Sequence, residues 1–208
     1  MPIDRTKAAA GARPPGDHAS LLDSFRRLTS WMRSNGAPLL ADNLAPGAKP
    51  GPIQKLEHKL GFKVPAGLRA LWLLHDGQRK ALNGFIGPLQ LLPIAWVLNE
   101  RANTLKLVAR FRGTRRGWKS AGLTPEEAES TNWLPIAARG DVSLVVHAGT
   151  GRVFAGDLTE AEDETPVHLV APSVPQWLAA YVESVEADEF ELVSGLGDYY
   201  LSPRETPA

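Results

Sequence analysis

The chain has 208 residues, 43% hydrophobic and 22% charged, which is ordinary for a globular protein and enough to bury one substantial core. It contains no cysteine, so disulfides, a thiolate nucleophile and a cysteine-ligated metal site are excluded. The formal net charge is zero, no run approaches the roughly 18 apolar residues of a membrane span, and the first residues lack a secretory apolar core; a cytoplasmic chain that does not coat nucleic acid is expected.

Residues 1–18, rich in Ala, Gly and Pro, read as a flexible tail. From 20 to 36, Leu21, Leu22, Phe25, Leu28 and Met32 form one helical stripe, with Ser20 suited to start it and Gly36 to stop it. After a Pro- and Gly-rich loop (37–52), Ile53, Leu56, Glu57 and Leu60 have helical spacing, and Gly61 ends that helix. Pro65 suits the first turn of a second helix, whose Leu68, Leu71, Trp72 and His75 share a face at i, i+3, i+4 and i+7. Gly77 is placed to end it in the left-handed conformation.

Residues 85–92 read as a short strand or hairpin, and Pro93 opens a long amphipathic helix through Ile94, Val97, Leu98, Leu105, Val108 and Phe111. The segments 132–137, 142–147, 151–156 and 166–171 are short, β-rich and separated by turn residues, with 147–152 a hairpin connection. Residues 173–190 read as a closing helix with Trp177, Leu178, Tyr181, Val182 and Val185 on its apolar stripe. This order implies an α+β fold with a central, mainly antiparallel sheet flanked by helices. A single domain is expected over 19–193, with a basic insertion near 101–131 and a C-terminal tail at 194–208.

Charge is distributed unevenly. Seven basic residues and no acid occur from Arg101 to Lys119, whereas eleven acids and no Lys or Arg occur from Val153 to Pro203. Within the basic stretch, Arg112, Arg115, Arg116 and Trp118 suit a partner contact, or phosphate contact with stacking. The acidic third would repel the same phosphates, which argues against nucleic acid as the partner. Asp157, Glu160, Glu162, Asp163 and Glu164 fall on a loop. Glu183, Glu186, Asp188, Glu189 and Glu191 are read as the end of the last helix, where the dipole disfavours them. Locally costly acids point to a use outside the helix, namely steering a basic partner.

No catalytic, metal or cofactor chemistry is expected. His75 and Asp76, adjacent on a helix, would point about 100° apart and cannot form a dyad. His18, His58, His147 and His168 are isolated, and neither a nucleophile elbow nor a phosphate-binding glycine loop is present. Gly149-Thr150-Gly151 reads as a strand turn, and Glu126-Glu127 as a solvated acidic pair.

Ile53-x-x-Leu56-Glu57-x-x-Leu60-Gly61-x-x-x-Pro65, followed by Leu71 through His75-Asp76-Gly77, resembles the N-terminal signature of the SUKH superfamily. Phe85-Ile86, Leu91-Leu92-Pro93-Ile94, Trp133-Leu134-Pro135-Ile136-Ala137 and Pro172-Ser173 to Trp177-Leu178 extend the similarity over about residues 20–190. The resemblance implies an α+β, non-enzymatic protein in which Leu56, Glu57, Leu60, Gly61, Pro65 and Gly77 are structural. It also implies a bacterial immunity protein that binds a toxin encoded by a neighbouring gene. Such toxins are polymorphic or secreted (type VI secretion-like), often nucleases, and here a basic one is expected. The acids Asp157, Glu160, Glu162, Asp163, Glu164, Glu183 and Glu186 would cover its active site. The alternatives are a regulatory hub, as in the fungal cell-wall members, and a nucleic-acid module using the basic stretch.

Overall fold

In the computed structural model, which describes residues 17–80, 84–109, 121–157, 167–195 and 198–204, the first apolar stripe becomes helix α1 (Asp17–Ser34). Leu21, Phe25, Leu28 and Met32 are buried along one side, and Gly36 turns the chain away at φ +86°. A short helix, α2 (Pro38–Asp42), starts on a proline whose missing N–H would have had no partner there, and it packs back on α1. Helix α3 (Pro50–Leu60) ends at left-handed Gly61, whose N–H donates to the Glu57 carbonyl at 3.0 Å. Pro65 is the N-cap of α4 (Ala66–Leu74).

The end of α4 differs from the expectation. The helix stops at Leu74, and His75 is extended, so it leaves the helical face that periodicity assigns to it. Nonlocal backbone pairing draws the chain out: Ala45 N–H donates to Gly77 O at 2.9 Å and Asp76 N–H to Pro46 O at 3.1 Å. Gly77 is left-handed at φ +66°, but it does not cap the helix. It is required because the backbone of Leu92 and Pro93 passes where a Cβ would stand.

Strands β1 (Gln90–Leu91), β2 (Trp133–Arg139), β3 (Val142–His147), β4 (Val153–Asp157) and β5 (Val167–Ala171) form an antiparallel sheet in sequence order. Alternation along the strands divides their side chains between two cores. Leu134, Leu144, Val146 and Val153 face a large core built with α1 to α4 and with α7 (Val174–Glu186). Trp133, Val145, Phe154 and Val167 face a smaller one with Leu107, Val108, Ala121, Leu123 and Ala128. A register shift between Pro135 and Ala137 puts both Ile136 and Ala137 into the large core.

Helix α5 (Ile94–Ala109) ties the faces together, with Ile94 and Val97 in the first core and Leu107 and Val108 in the second. Residues 121–131, which include helix α6 (Pro125–Glu129), pack on the second face. Both ends of the stretch read as a basic insertion therefore carry core residues.

Two expectations at the C-terminus are corrected. The last long helix, α7, stops at Glu186, and Asp188 reverses the chain at φ 62°. Residues 194–203 do not all lie in a tail, because β6 (Phe190–Gly195) and β7 (Asp198–Pro203) pair as an antiparallel hairpin. Leu201 is fully buried in the large core, Phe190 meets the Tyr181 ring edge-on at 5.3 Å, and the Arg139 guanidinium lies over the Tyr200 ring. Burying a side chain such as Leu201 stabilises by roughly 1.5–3 kcal/mol, one of several contacts that hold the hairpin to the rest of the fold.

Candidate functional site

The family-like motif of α3 assembles around a buried carboxylate. Ile53 and Leu56 point into the large core, and Glu57 beside them is only 5% exposed. It accepts the Val64 N–H at 3.0 Å, Lys63 Nζ at 3.2 Å and the Arg69 guanidinium. Burial alone would raise its pKa, but the Arg69, Val64 and Lys63 hydrogen bonds outweigh it and hold the carboxyl below the usual range. Glu57 thus fastens the end of α3 to the start of α4, with Gly61 and Pro65 shaping the turn and half-buried Leu60 packed on the core. Asp76 Oδ1 accepts the Ile94 N–H at 2.8 Å, which caps α5. His75 Nδ1 lies 2.9 Å from Ala45 O and its ring packs edge-on against Phe25. The two residues serve different helices and make no dyad.

A second buried carboxylate overturns the expectation that Glu126-Glu127 is a solvated pair. Glu127 is 0% exposed. Thr124 caps α6 reciprocally: its hydroxyl accepts Glu127 N–H at 3.2 Å while Glu127 Oε2 accepts Thr124 N–H at 2.9 Å. The same carboxylate accepts Thr150 Oγ1 at 2.7 Å and Arg152 Nη1 at 2.6 Å from the β3–β4 turn. Arg152 also donates to Gly122 O at 2.7 Å. The S/T-x-x-E capping signal was present at Thr124 and Glu127; the partners that bury it lie more than twenty residues away.

His147 belongs to this cluster. Its Nδ1 lies 3.2 Å from Thr150 Oγ1 and 3.3 Å from Thr150 N, and its Nε2 is buried with no partner among the described residues. Burial pushes this imidazole down; Glu127 and Glu126 oppose the shift and Arg152 adds to it. Its ring lies 5.0 Å from that of Trp133, whose indole N–H donates to Glu127 O at 3.1 Å. The arrangement locks α6 and the β3–β4 turn together.

The acids expected to form one face are only partly placed. Glu160, Glu162, Asp163 and Glu164, and likewise Arg112, Arg115, Arg116 and Trp118, lie outside the described residues. Asp157 closes β4 opposite Val142, at the end of the sheet away from Ala171, where the chain leaves for α7. Glu183 is exposed on α7. Glu186, one turn later, is held by both guanidinium arms of Arg27 on α1, which lowers its pKa and offsets the unfavourable helix dipole. Asp188, Glu189 and Glu191 stand beyond the helix, and Asp188 pairs with Arg204 at 2.8 Å. Sequence reasoning missed a basic counterpart on α1, where Arg26 and Arg33 line a groove with Arg79.

The sequence profile of the SMI1 / KNR4 family (SUKH-1) matches residues 47–180. The chain belongs to that family. The matched span takes in the Glu57 anchor, Gly77, all five strands of the sheet and the Glu127 network; α1, α2 and the β6–β7 hairpin fall outside it. Members of the SUKH family are generally non-enzymatic immunity or regulatory proteins, and toxin immunity proteins are among them. No curated protein matches the chain. Among the described residues, no group of His, Asp or Glu is arranged to hold a metal ion, and no helix is long and apolar enough to cross a membrane.

Proposed function

We propose that this SUKH-1 protein is a cytoplasmic immunity protein that neutralises a cognate toxin by direct binding and occlusion of the toxin's active site. The observation that carries the reading is the family match over 47–180, the span that builds the sheet and both buried anchors. The proposed toxin is a basic nuclease encoded by a neighbouring gene, captured through the acids Asp157, Glu160, Glu162, Asp163, Glu164 and Glu183. Opposite charge accelerates encounter and makes it salt-sensitive. Glu186 plays a lesser part in this face, because Arg27 already neutralises it.

Immobilised chain titrated with the purified neighbouring gene product tests the reading. Wild type is expected to capture it rapidly at low salt. A Glu160→Lys/Glu162→Lys/Glu183→Lys variant is expected to associate about tenfold more slowly, with a flattened salt dependence. Equal kinetics for the two proteins removes the acidic-face contact. A regulatory hub is the second reading, favoured by the surface that α1, α2 and the hairpin add outside the matched span. A hub shows several partners of moderate affinity, whereas an immunity protein shows one tight one.

A further inference from the structure

The outer face of α1 carries Leu22, Arg26, Thr29 and Arg33 at helical spacing, and these line one wall of a groove of about 420 Å³. Across it stand α2 and the stretch from His75 to Arg79. The floor is apolar: Phe25, Ala41 and Leu44 are nearly buried and Leu22 is half-buried. The rim is cationic. Arg33 is matched by Asp42 at 2.8 Å, but the guanidinium groups of Arg26 and Arg79 have no acidic partner among the described residues.

We propose that this groove is a docking site for an acidic peptide segment of a partner protein, with carboxylates paired to Arg26 and Arg79 and an apolar side chain seated on Leu22, Phe25 and Leu44. The planar fork of arginine suits bidentate carboxylate recognition. The eleven steps from Leu22 to Arg33 rise about 16 Å. That is the reach of about five extended residues, longer than a simple anion. Exposed carboxylates at Asp23 and Asp42 flank the site and disfavour a continuous polyanion such as nucleic acid. One wall of the groove, α1 and α2, precedes the family-matched residues, while His75 and Arg79 lie within them. The proposal extends the binding role above with a contact of opposite charge and does not require the partner to be a nuclease.

A random heptapeptide library panned on the full chain at low salt tests it, followed by anisotropy titration of the enriched, labelled peptide. Enrichment of peptides with two carboxylates around an apolar residue is expected, with affinity about tenfold weaker for Arg26→Glu/Arg79→Glu. Lys55→Glu, on the exposed side of α3, serves as the charge control and is expected to bind as wild type. Unchanged thermal melts establish that the double variant folds. Enrichment of basic or uncharged peptides, binding indifferent to the double variant, or preferential binding of a single-stranded oligonucleotide overturns the assignment. Failure here with toxin rescue intact removes the groove alone, whereas loss of rescue in wild type removes the immunity reading.

Discussion

Truncation of Glu127 to alanine removes a fully buried carboxylate from three donors: Thr124 N–H, Thr150 Oγ1 and Arg152 Nη1. Breaking a buried ion pair by deleting one member costs about 3–5 kcal/mol, largely because the remaining charge is left uncompensated. Arg152 escapes part of that penalty, since its side chain is 22% exposed and keeps Gly122 O as an acceptor. The expected loss is therefore at the low end, about 3 kcal/mol. In a chain of 208 residues each kcal/mol moves Tm by roughly 2–4 °C, so Glu127→Ala is expected to melt about 6–12 °C below wild type. Glu127→Gln keeps an acceptor for the cap but loses the charge, and it should fall between the two. Urea unfolding of wild type, Glu127→Ala, Arg152→Ala and the double variant completes a cycle, in which a coupling of about 1 kcal/mol or more is expected. A melting temperature within about 2 °C of wild type, or strictly additive losses, would refute the claim that this network locks α6 to the β3–β4 turn.

Two further predictions concern the α3–α4 motif and its neighbour. Glu57 has a folded-state pKa below its unfolded value, so its contribution to stability is present above the ordinary glutamate pKa of about 4.3 and is lost as pH falls through the lowered value. The difference in Tm between wild type and Glu57→Gln should accordingly be largest near neutrality and close in acid, as read by calorimetry from pH 7 down to 3; a gap independent of pH contradicts it. Gly77→Ala places a methyl group against the backbone of Leu92 and Pro93 at a positive φ, and a loss of about 2 kcal/mol or more is expected in urea unfolding. Tolerance of alanine there would mean that the approach of the two segments can relax.

Much of the fold is written locally in the chain. Gly36 and Gly61 both adopt the left-handed conformation their positions demand, and the four β-rich segments become β2 to β5. The departures share a physical cause. Helix α4 ends early because residues 45–48 supply backbone partners to 72–77, and no local signal reports a pairing made thirty residues away. The closing helix ends at Glu186 because Asp188, a non-glycine residue, takes a positive φ that composition does not reveal. Glu127 reads as solvated until Arg152 and Thr150 are brought beneath it by the β3–β4 turn. The acidic residues behave likewise: their number is plain from the sequence, but Glu186 is neutralised by Arg27 at a separation of 159 residues. The groove along α1 was illegible for the same reason, since Arg79 joins Arg26 and Arg33 only through tertiary packing.

The central claim is neutralisation by binding, and co-expression with the neighbouring gene product measures it most directly, with growth and co-purification followed together. The account predicts that growth is restored and that the two proteins purify as a stable stoichiometric complex. A neighbour that is toxic on its own, and that remains toxic and unbound in the presence of this chain, would contradict it.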